Sequence, residues 1–368
     1  MDDIVHAIAI FENIALQEGA QNIRRQFIKR VDAFTLSDKD FIRNFRLSKG
    51  LVHRLIDMLS PYMTEPTRSS ALDIPSKVLV SLNFFATGSY QLPTGNGIYS
   101  SISQSSVSRA LNEVVNALNV SDIFHTWVKY PLNFQELRQL REEFFQKFNF
   151  PGIVGIIDYT HVAIFPPPTY DENYLEYIYV NRKNFHSINV QIVHVSRMKI
   201  LNVSSLFPVS FNDAYVWNNC QLEPTLRLIH NHSSGYYLLG DSGYPLRPWL
   251  MTPLNHYEPN TPEERYNPRF KHVRSLVERC IGLLKMRFCC LLKHRVLHYS
   301  PIKASKIVNE CTVSHNMCIE NNKILPREDY IVQNNIDLGV YEPIRLEGND
   351  IADDDLTAYM KSLTKNNS

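Results

Sequence analysis

A helical N-terminal part followed by an α/β layer domain is the fold class this chain predicts, and three observations predict it. Up to about residue 125 the apolar residues recur at helical spacing. From residue 151 short apolar runs alternate with helical stretches, the signature of strands interleaved with helices. The length, 368 residues, accommodates about two domains.

The elements follow in order. Phe41, Ile42, Phe45, Leu47, Leu51, Val52, Leu55, Ile56 and Leu59 keep a helical period, which predicts one helix over 40–59, broken by Pro61 and Pro66. Pro75 suits a first helical turn behind a capping Asp73, ahead of SKVLVSLNFFATGS. Gly88, Pro93, Gly95, Asn96 and Gly97 predict a turn. Ser103 or Ser105 then caps a helix whose buried stripe is Val107, Leu111, Val114, Val115 and Leu118. This pair, over about 73–118, looks like a helix-turn-helix whose second helix would offer Gln104, Ser106, Ser108 and Arg109 to DNA. An ordinary helical bundle is the competing reading.

A helical domain is therefore expected over 1–125, a connecting helix over 126–150 and the α/β domain over 151–321. Its strands are GIVGIID, 187–195, 200–207 and 235–241, with a helix over 213–229. A Pro-rich segment precedes a helix holding Glu278, and another helix covers 303–321. Residues 322–368 read as an acidic, loosely ordered tail.

A net charge of +1 hides a strong asymmetry. Eleven Lys/Arg and one acid, Glu278, lie between 265 and 306; from 323 onward nine Asp/Glu face five Lys/Arg. The start has two acids and Glu12 inside its apolar stretch, unlike a secretory signal. No apolar run approaches the ~18 residues of a membrane helix. Six cysteines without framework spacing read as free thiols in a reducing compartment. An intracellular, soluble protein without a membrane partner is expected.

The chemistry rests on three acids. Asp158 and Asp241 end apolar, strand-like runs, and Glu278 sits in the basic helix. Carboxylates on rigid platforms can hold two Mg2+ ions, with Mn2+ as the alternative, and such a pair can cut a phosphodiester. Asp158 would bridge both ions, with Asp241 and Glu278 each favouring one. Singly, each acid reads rather as a turn or cap residue or an ion-pair partner, Glu278 with Arg274 or Arg279, and only the combination with its flanking segments changes this. His161 either assists proton transfer or packs beside its strand. Arg182 and Lys183 either fix a phosphate or form a solvated turn. Lys271, Arg274, Lys285 and Arg287 flank Glu278 and would lead a DNA strand toward the metals. Cys311, His315 and Cys318 share a helix side, but without a fourth zinc ligand they read as core.

Five ordered segments carry a resemblance: IIDYTHVAI, YVNRKNFHSINVQIV, LLGDSGYPLRPWLMTPL, ERYNPRFKHVRSLVERCIGLLKMRFCCL and SHNMCI. Over roughly 60–320 they resemble the Harbinger transposase-derived nuclease family, relatives of PIF/Harbinger transposases of the DDE superfamily. The resemblance implies a ribonuclease-H-like catalytic fold, with its acidic triad on Asp158, Asp241 and Glu278. Thirty-six residues separate the last two, in the range for such triads. Asp213 is retained in PVSFNDA, where Val209 and Asn212 depart from the family pattern. Tyr159 stands where glycine is common, and His194 where an aspartate often stands. The implied activity is a metal-dependent DNA endonuclease. The implied partner is a Myb-like protein that supplies DNA binding and nuclear import, leaving the chain in the cytoplasm without it. A domesticated, catalytically silent DNA-binding or chromatin-associated protein is the alternative. Self-association is left open.

Overall fold

Arg46 ends the first helix earlier than the apolar period predicts. The computed structural model describes residues 31–68, 71–97, 99–169, 174–254, 258 and 262–321. In it the single helix expected over 40–59 is two, α1 (Asp38–Phe45) and α2 (Lys49–Leu59). Arg46 sits at φ 64°, a left-handed conformation costly for a residue with a Cβ. Its guanidinium offsets that cost by donating to the carbonyls of Arg43, Ala86 and Arg287.

Local signals set the next helices. Asp73 accepts from the Ser76 N–H and opens α3 (Ile74–Thr87), with Pro75 in its first turn and Gly88 left-handed at its end. Where a turn was expected, Gln91–Asn96 forms a short helix, α4. Ser103 caps α5 (Gln104–Leu118), and the whole expected stripe of α5 is buried. The segment is thus three helices, with α5 packed on α3, α4 and a later helix. Gln104 and Arg109 are exposed; Ser106 and Ser108 are half-buried. Helices α6 (Ser121–Trp127) and α7 (Phe134–Phe148) complete the N-terminal part.

Among the described residues the sheet has five strands: β1 (Ile153–Ala163), β2 (Ser187–His194), β3 (Ile200–Pro208), β4 (Tyr237–Leu239) and β5 (Leu250–Met251). Their order is β3-β2-β1-β4-β5. The pairs β1–β2 and β2–β3 are antiparallel, whereas β1–β4 and β4–β5 are parallel. The helix expected over 213–229 is broken into α8 (Asp213–Asn218) and α9 (Leu222–His232). Pro224, which has no N–H to give, falls in the first turn of α9. The basic helix is α10 (Pro262–Arg287), and α11 (Pro301–Glu320) follows. The expected acidic tail, 322–368, lies outside the described residues.

Among the described residues two large buried clusters form the core, beside a small one of Phe207, Phe211 and Val216. One surrounds the sheet and includes Val154, Ile192, Leu238, Phe270, Val277 and Ile281. The other joins α1, α2, α3, α5 and α6 to Val313, Met317 and Cys318 of α11. Asn316, fully buried, ties the two together: its amide donates to Trp127 O and Ile200 O and accepts from Ile200 N. Cys311, His315 and Cys318 are all buried. Cys311 Sγ lies 3.7 Å from Cys290 Sγ, His315 bonds Met198 O, and Cys318 donates to Arg46 O. Among the described residues no helix is long and apolar enough to cross a membrane.

Candidate active site

Strand register places the first two acids side by side. Ile156 pairs with Leu239 across the parallel β1–β4 pair. Two residues on, along the same face of each chain, stand Asp158 and Asp241. β4 has ended there, while β1 continues against β2, with Asp158 opposite Ile192. Asp158 is therefore not at the end of its strand but at the end of the strand's parallel pairing. The carboxyl ends of parallel strands are where open α/β sheets bind ligands.

Both carboxylates are buried, and burial pushes their pKa values up, that of Asp158 to about 6. Arg274 of α10 opposes the shift. Its Nη2 lies 3.1 Å from Asp158 Oδ2 and 3.8 Å from Asp241 Oδ2, spanning the pair. Asp158 Oδ1 also accepts from Tyr159 N, and Asp241 Oδ1 from Gly243 N.

A third acid joins them, and it is Asp213. A Cβ on Gly243 would lie 2.6 Å from Asp213 Oδ2 and 3.1 Å from Asp241 Oδ1, so only glycine leaves room for both carboxylates. Burial first, then the charges of Asp241 and Asp158, push the Asp213 carboxyl up to about 7, while Arg182 and Arg274 pull it down. Asn212 caps α8 by accepting from Tyr215 N and so fixes where Asp213 begins the helix. Tyr159 donates to Asp213 O and stacks on Tyr244, with ring centroids 5.3 Å apart. Two departures from the family pattern, Tyr159 and Asn212, thus hold the Asp213 segment in place.

The remaining predicted residues divide. Glu278 is exposed, one turn beyond Arg274 on α10, and does not join the contacts among Asp158, Asp241, Asp213 and Arg274. His161 is largely buried; burial, then Lys285, Arg182 and Lys183, lower its pKa to about 4, which leaves it neutral at pH 7. His194 is fully buried and likewise lowered to about 4 by burial. Arg182 and Lys183 are exposed on a turn whose Asn181 Oδ1 accepts from Lys183 N and Phe185 N. The charge of Arg182 lowers the pKa of Asp213.

Two expected DNA contacts are corrected. Lys285 and Arg287 are only 1% and 2% exposed. Lys285 Nζ donates to His161 O at 2.7 Å, and Arg287 Nη1 donates to His315 Nδ1 at 3.1 Å. Both cations anchor α10 from inside and present no surface to a phosphate. Lys271 is exposed, and Arg274 faces the acids. Leu276, Val277, Ile281, Leu284 and Phe288 are buried, as their spacing predicts.

Residues 157–316 match the family described as DDE superfamily endonuclease. The Bos taurus protein named "Putative nuclease HARBI1" is 33% identical over 302 residues, covering 80% of this chain and 82% of that protein. The Homo sapiens protein of the same name is 33% identical over 300 residues, with the same coverage. This chain belongs to the Harbinger transposase-derived nuclease family. The Arabidopsis thaliana protein named "Antagonist of like heterochromatin protein 1" is 24% identical over 326 residues, covering 82% of this chain and 79% of that protein. No solved structure matches.

Members of the DDE endonuclease superfamily use divalent metals, and the donors here fit one. Asp158 and Asp241 offer hard oxygens on adjacent backbones, and their raised pKa values show buried negative charge that a cation would relieve. Among the described residues no three His, Cys, Asp or Glu side chains are grouped closely enough to enclose an ion by themselves. A pair of carboxylates suffices for Mg2+, which keeps several waters and takes substrate phosphate oxygens. Asp213, expected only as an auxiliary, is the neighbour that sequence reasoning undervalued. The cap pattern Asn212-Asp213 and the glycine of Asp241-Ser242-Gly243 were its visible signals.

Proposed function

We propose that this chain is a metal-dependent DNA endonuclease of transposase descent. The observation that carries the reading is the Asp158–Asp241 pair, buried side by side where the parallel pairing of β1 and β4 ends. The strand order, with three antiparallel strands before two parallel ones, supports a ribonuclease-H-like catalytic domain. Asp158 and Asp241 would hold two Mg2+ ions, or Mn2+, with Glu278 as the third ligand that the family resemblance assigns. Bound there, the ions would supply Lewis-acid stabilisation of the attacking and leaving oxygens.

The chain's own residues do the rest. Arg182 and Lys183, exposed on their turn, and Lys271 on α10 position the phosphate backbone without reading bases. Arg274 balances the acids until substrate and cations enter. Water attacks phosphorus in line and gives a proton to solvent, the bond from phosphorus to the 3′ oxygen breaks, and that oxygen takes up a proton, leaving a 3′-hydroxyl and a 5′-phosphate. Gln104 and Arg109, exposed at the start of α5, are available for added DNA contacts. A Myb-like partner would supply DNA binding and nuclear import; the chain would reside in the nucleus with it and in the cytoplasm without it. Imaging the chain with and without that partner tests the dependence, and a nuclear signal indifferent to the partner would refute it.

Cleavage of supercoiled and linear duplex DNA, with Mg2+ and partner present, tests the enzyme reading. Asp158→Asn, Asp241→Asn and Glu278→Gln should each lower the rate at least about a hundredfold. Equal inertness of the wild type and all three variants would favour the second reading, a silent DNA-binding or chromatin-associated protein. One observation favours that alternative: Arg274 already spans the two acids.

A further inference from the structure

Away from the acids lies a second surface with its own chemistry. The turn after α3 and the segment 294–299 enclose a cavity of ≈ 270 Å³. Its walls carry Tyr90, Gln91, Gln104, Arg295, His298 and Tyr299 and, among the described residues, no Asp or Glu. The walls are fixed. Gly88 approaches so closely that a Cβ would lie 2.9 Å from the backbone of Cys289 and 3.0 Å from Arg295 Cγ. Gln91 Nε2 donates to Tyr299 Oη at 2.8 Å, and Leu297 is bonded through its backbone to Ala163 and Phe165.

The rim is aromatic and open. Tyr90 is 63% exposed and Phe165 53%, although large apolar rings are usually covered. Phe165 stacks on His298 with centroids 4.9 Å apart and planes 26° from parallel, and Tyr90 meets the same imidazole edge-on at 5.3 Å. Lys303 Nζ lies 4.2 Å from the centre of the Tyr299 ring. Arg295 and His294 are exposed beside these rings. Open π-faces interleaved with cations, with no carboxylate among the described residues that line them, are the recognition chemistry of unpaired nucleotides. The core of a protein–protein interface would instead be depleted of charge.

We propose that this patch holds an unpaired nucleotide of a single-stranded DNA segment attached to the duplex being cut. The inference rests on the DNA endonuclease reading above. The base stacks against Phe165 and Tyr90, Gln91 and Gln104 line the space beside it, and Arg295 and His294 meet the phosphate. β1 connects the two places directly. Phe165 follows Asp158 by seven residues, a span of at most about 23 Å at strand rise. One DNA molecule can therefore occupy both.

Fluorescence anisotropy tests this with the full chain, in buffer without divalent ions so that no cleavage intervenes. The probes are a short blunt duplex and the same duplex with a single-stranded tail. The tailed duplex should bind about tenfold more tightly, a typical effect of one stacked base. Phe165→Ala and Tyr90→Ala should each reduce that preference, and together remove it, with blunt-duplex affinity and melting temperature unchanged because both rings are exposed. Arg295→Ala should weaken tailed binding and flatten its salt dependence. Equal affinity of the wild type for both probes, or a preference that survives the double ring variant, would overturn the inference. Magnesium-dependent cleavage in a chain without tail preference would overturn it alone; failure to cut any DNA with Mg2+ and partner present would overturn the endonuclease reading with it.

Discussion

Arg274 and Arg287 stand thirteen residues apart on one helix and meet different partners. Arg274 is half-buried and balances two carboxylates, Asp158 and Asp241. Arg287 is buried, and it donates to His315 while its own carbonyl accepts from Arg46. The comparison teaches that a basic helix is not one electrostatic object. A cation's role depends on which acceptor the fold brings to it, a pair of carboxylates or a carbonyl and an imidazole in the core.

The comparison breaks or sharpens under substitution, and the largest effect belongs to the buried end. Arg287→Met should destabilise the fold by about 3 kcal/mol, because buried His315 loses the donor to its Nδ1 and carbonyl, whereas the Arg46 bond to the residue 287 carbonyl is kept. Urea denaturation reads this, and a loss below about 1 kcal/mol would mean that Arg287 is not a structural anchor. Next comes the acid that Arg274 helps to balance. Asp213 titrates near 7 in the fold, above its ordinary value of 3.8, so the folded state retains a proton that the unfolded chain releases. Stability from this group falls as pH rises from about 4 to about 7. Asp213→Asn should therefore gain stability relative to wild type across that window, by roughly 2 kcal/mol. Parallel pH series would show no divergence if Asp213 were solvated.

Arg274→Gln should cost about 1 kcal/mol without metal, since an ion pair with a half-buried cation is partly screened. It should also raise the apparent affinity for Mn2+, read by calorimetry, because the competing cation is gone. Unchanged Mn2+ affinity would separate Arg274 from the metal site. The smallest effect on stability is that of exposed Lys271. Lys271→Ala should leave the melting temperature in place and lower the salt slope of DNA binding by about one. A large stability loss there would erase the contrast between the two ends of α10.

Much of this site was legible because local chemistry carried it. Asp73 and Ser103 cap the helices that their positions predict, and the stripe of α5 is buried as its spacing requires. Asp158 and Asp241 stood out because each follows an apolar run that must enter the core. What stayed hidden depends on partners distant in sequence. The break at Arg46 needs the carbonyls of Ala86 and Arg287, which no helical period announces. Burial of Lys285 needs His161 O, supplied by a strand more than a hundred residues away. Asp213 meets Asp241 only after α8 folds back beside the turn that follows β4. Glu278 shares the helix face of Arg274, one turn on, but its exposure, unlike the burial of Asp158 and Asp241, cannot be read from sequence spacing.

Asn316 carries a consequence for how such a chain can be cut and inherited. One amide side chain of α11 holds the last turn of α6 and the first residue of β3, so the helical part and the sheet share a keystone. The segment matched to the endonuclease family, 157–316, begins inside β1 and stops at that keystone. It leaves out α7, which packs on β1, and the helices that cover the far side of α11. The matched segment therefore records shared ancestry, not a separable part. An excised 157–316 would expose two half-cores at once, and the transferable unit is the whole body from α1 to α11.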